Sequence, residues 1–359
     1  MPTPDAGPTL TNVTYMGRQA LKFGLILIIV LMVGRTFLNA FTAYWKATHP
    51  PKAAPPTIGF GILPNLEFPE TNSSERPSEY TLETKTGTFP KMPTQAGVYF
   101  MPDFSSTLFD DESTREIAAA YGFVLEPEII DKRTYRFSKS SPLQSTLDID
   151  IRAKTFELQT NYLSRQELLI NKNLPDTQTA ISQVKSYLST AGLLDPDLEA
   201  ASSSAAAKYL KTSGKLLEEA FSVREAEFIQ VDLGREPIAG QYELFTPKGR
   251  EGTVNAIITG AFGSLDNIVY LRNKHYPVDY ESEETYPLRN ISDAWHLLQS
   301  GEGYVYNPQA VKTAVVRYIY LGYFDNFEHQ EYLQPIYVFE GDEGFLGYVS
   351  AIESKYLQQ

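Results

Sequence analysis

Apolar positions are distributed very unevenly along this chain. Phe23 to Gly34 is apolar without a break, and apolar residues stay dense as far as Trp45. Beyond that point they recur with the periods of helices and strands, and no comparable run returns. The pattern predicts one membrane-spanning helix over 20–45, behind a short tail at 1–19. A proline-rich spacer and extended segment follow at 46–95, and then three α+β units at 96–165, 174–280 and 285–359.

Within the first unit a helix is predicted over 111–121, stopped by Gly122. Strands are expected at 134–138, 145–151 and 155–162. Leu147, Ile149 and Ile151 alternate with Asp148 and Asp150, the period-two signature of a half-buried strand. In the second unit Asp176 or Thr177 starts a helix. Ile181, Val184, Tyr187 and Leu188 form its apolar face, and Gly192 ends it. The Ala/Ser/Lys-rich stretch 198–220 is predicted helical, broken at Gly214. Strands follow at 226–232, 242–246, 253–260 and 267–273. In the third unit Ser292 is the expected N-cap of a helix running to Gln299, ended by Gly301. Strands follow at 311–323, 332–340 and 345–352, with Pro335 placing its strand at an edge or on a bulge. A helix, a glycine stop and then strands, three times over, predicts an α+β fold of repeated helix-plus-antiparallel-sheet modules.

The uninterrupted run alone is short enough for a buried helix or a signal-peptide core. Counting its apolar continuation, insertion gains about 4–8 kcal/mol, against about 2.5–3.5 kcal/mol for Arg35 near the centre. A cut after Ala40 or Ala43 would put Leu38 or Phe41 where processing wants a small residue, which favours an uncleaved anchor. Arg35, Asn39 and Thr42 follow at helical spacing on one face. They read either as a helix end drifting into the headgroups or as a contact for another transmembrane helix. A short tail before the span and a long chain after it predict a cytoplasmic N-terminus and an extracytoplasmic bulk.

Charge sharpens this division. Residues 1–56 carry a net +4 and the remainder −17. So acidic a portion is a poor candidate for nucleic-acid binding. The chain has no cysteine, which excludes disulfides, thiolate metal sites and thiol catalysis. His49, His275, His296 and His329 lie far apart, and no zinc-protease, nucleophile-elbow or P-loop pattern occurs. Asp148 and Asp150 share one strand face, where a carboxylate pair would suit glycoside hydrolysis but a wet sheet face is the plainer reading. Asp279 to Glu284 reads as a solvated acidic loop. Tyr318, Tyr320, Tyr323 and Tyr337 suit either sugar stacking or a sheet core. Gly59 to Gly61 and Gly301 to Gly303 are turn and cap positions. No catalytic, cofactor or metal site is expected.

The segments Ile291 to Val305, Val315 to Phe324, Tyr332 to Gly341 and Phe345 to Ile352 resemble PepSY-like modules, most of all those of YycH- and YycI-type envelope regulators. The whole chain also resembles uncharacterised single-span bacterial envelope proteins. The resemblance implies a non-enzymatic ectodomain on one span. It would bind a protein partner and regulate a membrane sensor kinase or envelope assembly, partly through transmembrane helix contacts. An envelope glycan hydrolase, or a passive ligand-binding or scaffold module, is the alternative.

Overall fold

The computed structural model describes residues 10–48, 54–71, 75–170, 173–214, 216–262 and 266–358. It divides into two compact units, Met1–Pro55 and Pro56–Gln359.

The first unit is one helix, α1 (Leu10–Thr48). It fills most of the interval between Pro8 and Pro50, because neither proline is tolerated inside a helix. The helix therefore begins well within the segment expected as a polar tail. At 39 residues it measures about 58 Å, against about 30 Å of bilayer hydrocarbon. Gly17–Thr42 is long and apolar enough to cross a membrane, a criterion that a signal sequence near the N-terminus also meets. Phe37, Phe41 and Trp45 form an aromatic ridge, with successive ring centroids 6.5 and 6.0 Å apart. Residues 49–53 of the spacer, His49 among them, lie outside the described residues.

The second unit runs β1 (Glu79–Leu82), β2 (Gln95–Phe100), α2 (Asp110–Ala120), β3 (Glu128–Ile129), β4 (Thr134–Lys139), β5 (Ser145–Asp150) and β6 (Phe156–Thr160). Next come α3 (Gln166–Ile170), α4 (Thr177–Thr190), α5 (Pro196–Ala200), β7 (Ala205–Ser213), β8 (Leu216–Glu219), β9 (Phe228–Leu233), β10 (Leu244–Phe245), β11 (Val254–Thr259) and β12 (Ile268–Asn273). It closes with β13 (Asp279–Pro287), α6 (Ile291–Ser300), β14 (Tyr304–Tyr306), β15 (Thr313–Phe324), β16 (Tyr332–Gly341) and β17 (Leu346–Ser350). The fold is mixed α+β and mostly sheet.

Nine strands form one antiparallel sheet in the order β3-β4-β5-β6-β12-β11-β9-β7-β8. Strands from 96–165 and 174–280 meet at the β6–β12 ladder, so these two segments share one sheet rather than each building its own. Helices α2 and α4 cover one face with Ile117, Tyr121, Val184 and Leu188, over Ile149, Val231, Ile258 and Leu271. Tyr121 and Tyr187 stack between the helices at 4.2 Å. Leu168 and Tyr162 cover part of the other face, against Phe228, Ile257 and Val269. With both faces covered, β11 is buried at every position.

The second sheet has the order β1-β15-β16-β17-β14. In addition β2 pairs with both β13 and β16, and β10 pairs with β15. Helix α6 lays Ala294, Trp295 and Leu298 on it. Gly347 lets the helix sit that close: a Cβ there would stand 2.8 Å from the Leu298 side chain. Tyrosine hydroxyls fasten distant chain to this sheet. Tyr323 donates to the Gly97 carbonyl at 2.9 Å, Tyr337 to Arg289 at 2.9 Å and Tyr304 to Pro247 at 2.7 Å. The chain entering the unit is clasped too. Leu63 forms a parallel bridge with Leu357, its amide donating to the Tyr356 carbonyl at 2.8 Å and its carbonyl accepting from Gln358 at 2.9 Å.

Four local expectations are corrected. Residues 198–220 are not one helix but the short α5 and the β7–β8 hairpin, with Gly214 at a positive φ in the turn. Alanine is the best helix former, but propensity yields to packing, and here Ala205, Ala207 and Tyr209 pack alternately onto the first core, a strand's period. Asp279 to Glu284 belongs to β13, where Glu283 and Glu284 pair opposite Tyr99 and Val98 beside a bulge. The α6 cap is Asn290, whose side chain accepts from the Ser292 amide at 3.0 Å. Pro335 lies in a central strand. It is tolerated because the Ala351 carbonyl, which an N–H at position 335 would serve, is taken by the Arg289 amide at 2.9 Å.

Candidate functional site

The strongest concentration of buried charge lies at the seam between the two sheets. Arg235 follows Gly234 at the end of β9, Asp325 follows β15, His275 follows β12, and Asp197 sits in the first turn of α5. Each residue leaves an element at the same end of the unit. Strand ladders thus converge four residues that are up to 128 positions apart.

Arg235 is fully buried. Its Nε donates to Asp325 Oδ2 at 2.9 Å, its Nη1 to Asp197 Oδ2 and its Nη2 to the Tyr276 carbonyl. His275 is buried beside it, with Nε2 2.9 Å from Asp197 Oδ1 and 3.2 Å from Arg235 Nη1, and Nδ1 3.0 Å from Thr253 Oγ1. Tyr280 donates its hydroxyl to Asp197 Oδ2 at 3.2 Å. Asp195 Oδ2 lies 3.6 Å from His275 Nε2. Asp325 Oδ1 is buried with no hydrogen-bond partner among the described residues.

Burial alone would raise the Asp197 carboxyl. The His275 hydrogen bond and the nearby Arg235 charge outweigh it and hold the group well below the usual carboxylate range. Burial works against the Arg235 cation, but Asp325 and Asp197 overcome it and keep the guanidinium charged. Asp195 lacks a comparable set of donors, and burial pushes its carboxyl up. Burial pushes the Tyr280 hydroxyl up to about 12, so it stays a donor at neutral pH.

Two clefts open on either side of this wall. One, of about 480 Å³, is lined by Tyr99, Tyr280, Asp197, Glu236, Glu283 and Ile238, and among the described residues no lysine or arginine lines it. The Tyr99 and Tyr280 rings stand 6.0 Å apart. The other, of about 360 Å³, is lined by Arg235, Asp325, Arg250, Glu243 and Glu251 among others. The Asp197–Arg235–Asp325 relay therefore joins the two.

Of the residues singled out from sequence, His275 and, from the acidic run, Tyr280 and Glu283 fall at this site, and the others lie elsewhere. Asp148 is gripped bidentately by Arg136 at 2.7 and 2.6 Å. Asp150 accepts from the Arg152 and Ala153 amides and pairs with Arg133 at 2.8 Å. The tyrosines do not form one face: Tyr323 and Tyr337 are buried, Tyr318 is exposed, and Tyr320 donates to Glu340 at 2.6 Å. His296 is exposed on α6, and His329 wedges between Phe104 and Tyr276. Gly61 and Gly301 occupy turn and cap positions at positive φ. On α1, Arg35, Asn39 and Thr42 are all exposed, and the Thr42 hydroxyl donates back to the Asn39 carbonyl at 3.0 Å. The Arg235 cluster escaped sequence reading because its members share no local spacing. The single local cue was Asp195-Pro196, a helix start that fixes where Asp197 sits.

No protein-family model matches this chain, and no curated protein matches it. Among solved structures, the C-terminal domain of Bacillus megaterium YpeB aligns over 70% of this chain and 95% of its own length. The identity is 11% and the TM-score 0.29, too distant to carry function across.

Proposed function

We propose that this is a non-enzymatic single-pass membrane protein whose extracytoplasmic portion docks a basic segment of a partner protein. The cleft between Tyr99 and Tyr280 carries this reading. Its rings and the carboxylates of Glu236 and Glu283 suit an ammonium or guanidinium group, with Asp197 behind them already paired to Arg235 and His275. The resemblance of residues 291–352 supplies the setting, regulation of a membrane kinase or of envelope assembly.

The span offers a second contact. Spacings of three and four extend the Arg35–Asn39–Thr42 face through Leu31, Ile28, Gly24 and Leu21. The helix contains no acid, so a second copy cannot neutralise Arg35, and the fitting neighbour is a helix bearing Asp or Glu.

Fluorescence polarisation with the full chain in nanodiscs tests the cleft. A lysine-rich peptide should bind well above an acidic one of equal length, and Tyr280→Ala with Glu283→Lys should weaken it at least tenfold. Equal binding of both peptides would remove the reading. For the span, crosslinking from Leu38 in membranes should be lost in Arg35→Leu/Asn39→Leu, and an unchanged crosslink removes the helix contact. A glycan hydrolase built on Asp148 and Asp150 is disfavoured, since each carboxylate is already held by an arginine.

A further inference from the structure

We propose that Asp195, Asp197 and His275 form a binding site for a divalent transition ion, Zn²⁺ or Mn²⁺, at the seam of the two sheets. One ligand atom from each residue lies within 4.8 Å of the others. His275 Nε2 stands 2.9 Å from Asp197 Oδ1 and 3.6 Å from Asp195 Oδ2. An ion held at about 2.0–2.2 Å by three such donors requires them to stand roughly 3.0–3.5 Å apart. The three residues already come close to that arrangement.

The surroundings hold the ligands as a metal site requires. Thr253 Oγ1 engages His275 Nδ1 at 3.0 Å, which orients the ring so that Nε2 faces Asp197, Asp195 and, at 3.2 Å, Arg235 Nη1. Tyr280 and Arg235 fix the other oxygen of Asp197. Asp195 occupies the N-cap of α5, yet its carboxylate accepts no hydrogen bond from the helix. It faces His275 instead. Arg235 is the one neighbour that opposes an ion. Asp325 holds that guanidinium from its far side, and three carboxylates against one guanidinium leave a negative balance that a divalent ion offsets. One imidazole with two carboxylates suits Zn²⁺ or Mn²⁺, whereas Ca²⁺ and Mg²⁺ prefer oxygen alone. The site stands whether or not the neighbouring cleft takes a basic segment.

Calorimetry on the chelator-treated full chain in nanodiscs, titrated with Zn²⁺ or Mn²⁺ alone, tests this. One ion per chain should bind with micromolar or tighter affinity. Asp195→Asn should weaken binding at least tenfold without changing the metal-free melting temperature, because Asp195 makes no hydrogen bond that folding needs. His275→Gln should weaken it further. Absence of stoichiometric binding, wild-type affinity in Asp195→Asn, or equal affinity for Mg²⁺ would each overturn the proposal. Asp195→Asn keeps the test decisive if His275→Gln fails to fold.

Discussion

The two sheets differ in how they hold their remote strands. In the nine-stranded sheet most partners are near in sequence: β3 to β6 are successive hairpins, β7 and β8 another, and β11 and β12 a third. In the second sheet β15, β16 and β17 are also successive hairpins, but Glu79 pairs with Thr313 and Tyr99 with Leu333, and those ladders need whole-chain closure. Loop closure costs entropy before such contacts return anything. The materials differ accordingly. The first core is largely aliphatic, while the second relies on tyrosines whose hydroxyls reach carbonyls far away in sequence. A sheet of local hairpins can consolidate early. A sheet assembled from remote strands needs polar anchors to fix which segments meet.

Arg235 crosses between the two, and removing its partner tests their separateness most severely. Asp325→Ala leaves the guanidinium buried and half-paired, and should cost about 3–5 kcal/mol. Urea melts followed by two probes should then split into two transitions, and a single coincident transition would mean one cooperative unit. Leu188→Ala, under the first sheet, should cost about 2–5 kcal/mol. Amide exchange should quicken in β5, β9 and β11 while β15 and β16 stay protected, and uniform loss of protection would contradict the division.

The same division explains what was readable in the sequence. Strands β5 and β6 announce themselves by alternation, α4 by its apolar face, and the ends of α2 and α4 by their glycine stops. Local patterns carry no information on the parallel entry of β1 beside β15, or on β13 beside β2. Those depend on what is left to cover late in folding. Residues 205–213 misled because alanine's helix preference is weaker than the gain from laying alternate side chains on a core. The seam was unreadable for a related reason: Asp197, Arg235, His275 and Asp325 meet through the topology and share no motif.

Smaller effects sharpen the contrast. Burial raises the Asp232 carboxyl on β9 to about 6, with the Asn255 hydrogen bond opposing and Glu251 adding to the rise. A raised acid favours the fold while protonated, so this contribution is present below about pH 4 and is lost as pH climbs through 6. Asp232→Asn should shrink the stability difference between pH 4 and pH 8 by about 1–2 kcal/mol, allowing for its partial exposure. A denaturation series that keeps its slope would place the charge elsewhere. Tyr323→Phe strands the Gly97 carbonyl in the second sheet and should cost about 1–2 kcal/mol in urea denaturation. Asp148→Asn, on a wet face of the first sheet, should change melting by less than about 1 kcal/mol. A larger loss would mean that the Arg136 pair is more than surface decoration.

The clasp at Leu63 has a mechanical meaning. On the proposed function, with residues ahead of 56 anchored and a partner engaged elsewhere, load would enter through the segment 57–68. Its first firm holds are the Thr57 and Ile58 bonds to Thr285 and then the bridge to Tyr356, Leu357 and Gln358. That bridge is a few bonds long and stands outside the ladders, with side-chain bonds from Tyr286 to Gly61, Gln334 to Pro64 and Asn65 to Gln358 beside it. Under load it should open before either sheet, a fuse that would free residues 356–358 while leaving the rest of the unit intact.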